Sequence, residues 1–197
     1  MNKDADRSKV SIIIPVYFNE LNLPSLRERL LAVLESAEFN FEVIFVDDGS
    51  RDGSFSVLRK FAEEDDRFKT IKLSRNFGSS VASLAGLRNA SGDCALVISA
   101  DLQDPPELIP DMVRQWRKGN KIVLAVRQGR EDPLAVRMMS ALYYKILRQF
   151  ALKDMPPGGF DFFLIDRAVI DIVVNIEEKN TSLPGLILWV GFPKKLL

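Results

Sequence analysis

Residues 94–107 read C-A-L-V-I-S-A-D-L-Q-D-P-P-E. Cys94 to Ile98 make a short apolar run suited to a strand buried on both faces, the kind that fills the middle of a parallel sheet. The run stops in acid. Asp101, Gln103 and Asp104 follow at once, and Pro105-Pro106 keeps the chain from continuing as a ladder strand. A polar cluster is thereby fixed at a strand's carboxyl end, and in open α/β sheets ligands bind in the crevice outside those ends.

Outward from this stretch, strands and helices alternate. Upstream, Val10 to Val16 (V-S-I-I-I-P-V) and Phe41 to Val46 (F-E-V-I-F-V) are β-branched or aromatic runs that predict strands, and Thr70 to Leu73 predicts a short one. Between them, Asn22 stands where it would cap a helix with Pro24 in its first turn, and Leu26, Leu30, Val33, Leu34 and Ala37 follow at helical spacing. Phe55, Leu58, Phe61 and Ala62 mark a second helix, and Ser80 to Ala90 a third. The central strand runs from Cys94 to Ser99. Downstream, a helix over 107–118 stopped by Gly119 precedes a strand from Lys121 to Val126. Strictly alternating elements predict an α/β fold: a mostly parallel central sheet flanked by helices on both faces, with right-handed crossovers.

Beyond Arg127 the pattern loosens. Gln128 to Pro133 reads as a charged loop, and 134–152 as a long helix whose apolar stripe (Met138, Leu142, Ile146, Phe150) serves either packing or a partner face beside Arg137, Lys145, Arg148 and Lys153. Pro156 to Gly159 is a break, Phe160 to Ile165 a further strand, and Asp166 the cap of a helix through Ile176. No internal repeat or low-complexity tract interrupts the chain.

The length of 197 residues fits one domain, with 47% hydrophobic and 27% charged residues. Basic and acidic residues balance at 27 each, which gives no sign of a nucleic-acid partner. The lone cysteine, Cys94, sits in the apolar run, so a disulfide framework is excluded and a cytoplasmic setting expected. Histidine is absent, which excludes His-based acid/base chemistry, Ser-His-Asp and Cys-His systems, and His-ligated zinc. The N-terminus lacks the apolar core of a signal peptide, and no run is long enough to span a membrane; Leu183 to Phe192 is broken by Pro184 and Gly185. The end at Pro193 to Leu197, without a polar tail, reads as an early stop.

Two phosphate-binding fingerprints are missing. After the first strand stands Asn19-Glu20-Leu21-Asn22 rather than G-x-G-x-x-G, and no G-x-x-x-x-G-K-[ST] occurs. A doubly wound sheet with acids at two strand ends but neither loop points to a ligand held through a nucleobase and a metal-bridged diphosphate, Asp48 accepting from base or ribose and Asp101 holding the cation. The competing reading is that the acids of D-D-G-S-R-D-G-S (47–54) are plain turn formers.

Five motifs in order resemble one family: P-V-Y (15–17), V-D-D-G-S (46–50), S-R-N-F-G (74–78), A-D-L-Q-D-P-P (100–106) and G-F-D-F-F-L-I-D-R (159–167). They are similar to the inverting family 2 glycosyltransferases of GT-A fold, most of all the polyprenyl-phosphate sugar transferases, such as dolichol-phosphate mannose synthases and bacterial undecaprenyl-phosphate glycosyltransferases. The likeness spans nearly the whole chain. It implies one GT-A catalytic domain over 1–197, stopping short at the C-terminus, with a nucleotide-binding part (1–127) and an acceptor-side part (128–197).

By that resemblance Pro15, Tyr17, Val46 and Asp48 line the nucleotide pocket, with Asn19 or Glu20 close by. Ala100 and Asp101 meet the diphosphate and its Mg²⁺ or Mn²⁺, Gln103 is a further metal ligand, Arg127 contacts the donor, and Asp161 acts on the acceptor. The donor is a nucleotide-diphospho-sugar. The acceptor is a polyprenyl phosphate or a glycan, met at the inner face of the cell membrane, and the resemblance leaves room for membrane-surface association and a homo-oligomer.

Three features depart from the pattern: Ser99 stands where relatives commonly carry an acid, Ser79 where they often carry lysine, and the chain ends before their downstream basic residues and membrane-attaching helices. Several residues also have plainer readings. Asp161 could be a solvent-facing strand residue, Gln103 and Asp104 helix caps, Tyr17, Trp116 and Trp189 packing, and Arg75 and Asn76 loop ties. Two other functions compete, an NDP-sugar-making nucleotidyltransferase, which should show a Gly-rich basic loop where Tyr17 to Glu20 stands, and a catalytically impaired nucleotide-sugar-binding or scaffold protein.

Overall fold

In the computed structural model, which describes residues 8–126, 155–156, 159–177 and 182–197, a seven-stranded sheet carries helices on both faces. The elements in order are β1 (Lys9–Val16), α1 (Leu23–Leu34), β2 (Asn40–Asp47), α2 (Ser54–Glu64), β3 (Phe68–Lys72), α3 (Ser79–Arg88), β4 (Cys94–Val97), a 3₁₀ turn (Pro106–Leu108) leading into α4 (Ile109–Arg117), β5 (Ile122–Leu124), β6 (Phe163–Asp166), α5 (Arg167–Val173), α6 (Leu183–Trp189) and β7 (Lys194–Leu196). The sheet order is β3-β2-β1-β4-β6-β5-β7. Every pairing is parallel except those of β6, which runs antiparallel to both β4 and β5.

β1 lies at the heart of this order. Val10, Ile12, Ile14 and Val16 turn to one face, where they pack with Leu26 and Leu30 of α1, Leu58 of α2 and Met112 of α4. Ile13 turns to the other, with Ala82 and Leu87 of α3 and Ile170 of α5. Alternation along one strand thus feeds two cores, each burying fully enclosed side chains. α3 seats closely because Gly86 has no side chain: a Cβ there would stand 2.3 Å from Ile13 Cγ2.

The chain winds outward from β1 to β2 and β3, then crosses back to β4 on the other side. Strand order therefore reverses between β1 and β4, a topological switch point, with the carboxyl ends of both strands at the same edge.

Several expectations are corrected. β4 ends at Val97, not Ser99, because the Ser99 N–H leaves the ladder and donates to Asp104 Oδ2 at 3.2 Å. β6 begins at Phe163, not Phe160, since its partner β4 ends at Val97, the residue opposite Phe163. Asn22 occupies the cap position of α1 without a side-chain cap bond; the turn is closed instead by the Asn22 N–H donating to the Asn19 carbonyl at 2.9 Å. Trp189 is 73% exposed rather than packed. Trp116 packs against the core and donates its indole N–H to Asp166 Oδ2 at 2.7 Å. Asp166 does cap α5, accepting from Ala168 N–H at 3.0 Å. The helix expected over 134–152 and the loop before it lie outside the described residues, as does Arg127. Among the described residues no helix is long and apolar enough to cross a membrane.

Candidate active site

A cleft of about 340 Å³ opens at the switch point. It is lined by Pro15 from β1, Val97 at the end of β4 with Ile98, Ser99, Asp101 and Gln103 after it, Ser79, Ser80 and Ser83 from α3, and Asp161, Phe163, Leu183 and Pro184 from the later part of the chain. Four of the residues singled out in the sequence, Pro15, Asp101, Gln103 and Asp161, are brought together here although 146 positions separate the first from the last. The insertion of β6 beside β4 achieves this. The Val97–Phe163 pairing places Asp161, exposed in the bend before β6, beside the loop that follows β4.

That loop is fixed by its own polar groups. Leu102 takes a left-handed backbone (φ 65°), uncommon for a side-chain-bearing residue, and the Gln103 N–H donates to Asp101 Oδ1 at 3.1 Å. Ser99 Oγ lies 2.8 Å from the same oxygen and 2.7 Å from Asp104 Oδ2. Asp101 and Gln103 are exposed and line the cleft, whereas Ala100 and Asp104 are each 3% exposed. The Ala100 side chain belongs to the core beneath α1 and α4.

The loops after β1 and β2 form a second polar assembly. Phe18 N–H donates to Ser50 Oγ at 3.1 Å and Asn19 N–H to Ser54 Oγ at 3.0 Å, while Glu20 Oε2 accepts from Gly53 N–H at 2.7 Å. Glu20 thus locks one loop to the other. Asp52 Oδ1 in turn accepts from Ser54 N–H at 3.1 Å. Tyr17 is 47% exposed, its ring edge-on to Phe18 at 4.6 Å between centroids, so it is a surface aromatic and not core. Val46 is fully buried under α3.

Asp48 is 2% exposed, and its two oxygens accept from Phe77 N–H and Gly78 N–H, each at 2.8 Å. The R-N-F-G stretch is therefore hung on Asp48, with the Arg75 guanidinium over the Phe77 ring at 4.2 Å. A carboxylate has about four acceptor directions, so capacity for a ligand remains. Gly49 makes the approach feasible: at φ 72° a Cβ would stand 2.5 Å from the Arg75 carbonyl carbon. Neighbouring Asp47 is fully buried, its Oδ1 accepting from Ser50 N–H at 3.2 Å and its Oδ2 without a partner among the described residues.

Cys94 is no nucleophile, for burial first and nearby Asp166 second push its thiol well above the ordinary range. Sequence reasoning missed the ties made by Ser50, Ser54 and Ser99. The D-x-S spacing of Asp52 and Ser54 was a local signal for one of them, while the rest join segments that only the fold brings together.

Among the described residues no group of three or more acidic, cysteine or histidine side chains could hold a metal by itself. The donor set on offer at the cleft is Asp101, the Gln103 amide oxygen and Asp161. These hard oxygen ligands fit Mg²⁺ or Mn²⁺ when substrate phosphates and waters complete the octahedron, since one or two carboxylates then suffice.

An open, switch-point α/β sheet with an acid-edged cleft places the chain among the folds that hold a ligand at the carboxyl ends of their strands, and comparisons narrow the class. The Glycosyl transferase family 2 profile matches residues 11–173, and the chain belongs to that family. It is 42% identical over 183 residues to the uncharacterized glycosyltransferase YkcC of Bacillus subtilis (strain 168), covering 92% of this chain and 57% of that protein. It is 32% identical over 184 residues to the bactoprenol glucosyl transferase of Shigella phage SfV, covering 93% and 60%. The mannosyltransferase PcManGT of Pyrobaculum calidifontis, solved in complex with GDP-Man and Mn²⁺, superposes with a TM-score of 0.69 at 18% identity, covering 97% of this chain and 55% of that one. The chain thus spans under two thirds of the length of the curated relatives it matches, and its fold is that of GT-A glycosyltransferases.

Proposed function

We propose that this chain transfers a sugar from a nucleotide-diphosphate donor to a polyprenyl phosphate at the membrane's inner face, with inversion. The observation that carries the reading is the convergence of Asp101, Gln103 and Asp161 on one cleft at the switch point. The bactoprenol glucosyl transferase relatives favour a polyprenyl-phosphate over a glycan acceptor, and the Mn²⁺ and GDP-Man of PcManGT favour a metal-bridged donor.

In this reading the nucleoside rests on the stitched loops 17–20 and 48–54, where Tyr17 offers an exposed ring to a base. Residues 1–127 would hold the donor, Arg127 among the residues that contact it, and 128–197 the acceptor side. Asp101 and Gln103 would hold Mg²⁺ or Mn²⁺, which when bound neutralises charge growing on the leaving diphosphate. Asp161 lines the same cleft. A phosphomonoester has a second pKa of about 6, so it is largely dianionic at neutral pH and attacks without surrendering a proton. Asp161 would then position the metal or the acceptor; toward a sugar hydroxyl it would instead take the proton as general base.

The deciding experiment is transfer from UDP- and GDP-sugars to an undecaprenyl or dolichyl phosphate with Mg²⁺ or Mn²⁺, using the full-length protein. Product formation lost in Asp101→Asn supports the reading, and activity unchanged in that variant sinks it. Ser99 in place of the acid that the family resemblance leads one to expect favours a second reading, a nucleotide-sugar-binding protein with little turnover. Donor binding without transfer from the full-length protein would select it.

A further inference from the structure

Asp104 is 3% exposed, yet it carries no part in the chemistry above. A carboxylate taken out of water needs hydrogen bonds to compensate its lost hydration. Ser99 supplies two of them: its N–H lies 3.2 Å and its Oγ 2.7 Å from Asp104 Oδ2. The same Oγ lies 2.8 Å from Asp101 Oδ1. One hydroxyl proton is therefore shared between two carboxylates, one buried and one lining the cleft, and links the three side chains. The left-handed turn at Leu102 closes the loop by returning the Gln103 N–H to Asp101.

We propose that Asp104 is a positioning residue, which acts through the Ser99 hydroxyl to aim the Asp101 carboxylate into the cleft before cation or diphosphate arrives. The proposal rests on the function above. Asp101 is exposed, and among the described residues its carboxylate is hydrogen-bonded by Ser99 Oγ and Gln103 N–H, both at Oδ1. Without the hydroxyl, one N–H is left to hold it, and its rotamer freedom must be given up on ligand binding. Without the Asp104 carboxylate, the hydroxyl loses the buried anchor that sets its direction. Groups that orient a ligating side chain are typically worth 10- to 100-fold in metal affinity.

The test is Mn²⁺ affinity, read from the paramagnetic resonance signal of free Mn²⁺ in the presence of UDP and, separately, GDP. The chain is compared with Ser99→Ala, Asp104→Asn and the double variant, with thermal melts to confirm folding. Each single variant is expected to weaken Mn²⁺ about tenfold. The double should be no weaker than the weaker single, because both act along one route. Losses that multiply in the double variant would overturn the proposal. So would Ser99→Ala within twofold of the parent, which decides the matter even if Asp104→Asn fails to fold. A parent chain that takes up no Mn²⁺ with either nucleotide would instead overturn the proposed function, and this inference with it.

Discussion

On either side of β1, two loops end their strands in acid and use it in different ways. After β2, Asp48 is 2% exposed and spends both oxygens on the backbone N–H groups of Phe77 and Gly78. After β4, Asp101 is exposed and is held by one hydroxyl and one N–H. Backbone donors cannot be removed by exchanging a side chain, so the first arrangement is part of the fold. A serine hydroxyl and an open carboxylate leave the second free to take a ligand. If the proposed function holds, the difference divides labour between the two loops: the β2 side is built to stay in place, and the β4 side, which lines the cleft, to engage.

The largest expected effect lies on the engaging side. Asp101→Asn keeps size and shape but removes the charge that would face the metal-bridged diphosphate, and transfer should fall by about 10² or more, on the scale seen when one preorganised electrostatic contact is lost. Its melting temperature should stay close to the parent's, as an exposed side chain contributes little to stability. Transfer and melting measured on the same preparation check both halves.

Asp48→Ala should reverse that pattern. Two N–H groups would lose a buried, charged acceptor, hydrogen bonds to which are typically worth about 1.5–3 kcal/mol, and the melting temperature should fall markedly along with donor affinity. An unchanged melt would dissolve the contrast between the loops. Gly49→Ala should do the same by another route, since a Cβ at φ 72° would meet the backbone of Arg75 and Asn76 within 2.9 Å. Urea denaturation of the two variants gives the comparison directly.

How much of this was legible in the chain depends on the range of the interaction. β1, β2 and β4 declare themselves through β-branched and apolar runs, because burial on both faces requires such residues. β7, with Lys194, Lys195 and Leu196, is too short and polar to carry a pattern; it exists only because β5 offers it an edge. The antiparallel insertion of β6 is likewise a fact of topology, and so the strand expected from Phe160 swallowed Asp161, which in the fold stands free at the cleft. Asp101 was readable as an acid after a strand. Its hydrogen-bonding to Ser99, and that of Ser99 to Asp104, was not, since no local rule links positions five apart across a loop.

The opposite end of the sheet supplies a control that touches neither loop. Glu42 is 2% exposed, and its oxygens accept from Ser11 Oγ at 2.6 Å, Ser91 N–H at 2.7 Å and Lys69 Nζ at 2.7 Å. Burial acts to raise its pKa, but Lys69, Ser11 and Ser91 outweigh it and hold the carboxyl well below its ordinary value. A group depressed in the folded state stabilises above its unfolded pKa and loses that contribution as pH falls through the folded one. Glu42→Gln should thus lower the melting temperature at neutral pH and flatten its decline below about pH 4.5, the ordinary value. Donor affinity should be unaffected, and an affinity loss matching that of Asp48→Ala would show that the loops respond to any loss of stability.

The smallest and sharpest effect is expected from Ser99→Asp. This change replaces a hydroxyl that can donate to Asp101 or Asp104 with a carboxylate that donates to neither, at contacts of 2.8 and 2.7 Å. Three carboxylates would crowd one loop, and like charges so close destabilise unless a cation intervenes. The cation-free variant should therefore melt below the parent. With Mn²⁺ and nucleotide the order should invert, because added carboxylate charge tightens a hard-ion site and binding to the native state alone raises its stability by mass action. A gain of about tenfold in Mn²⁺ affinity corresponds to about 1.4 kcal/mol. If the variant melts lower in both conditions, position 99 lies outside the ligand shell and its hydroxyl serves the loop alone; if it melts higher in both, the crowding of charge around Asp101 is not what the geometry implies, and the β4 loop is no more open to a ligand than the β2 loop.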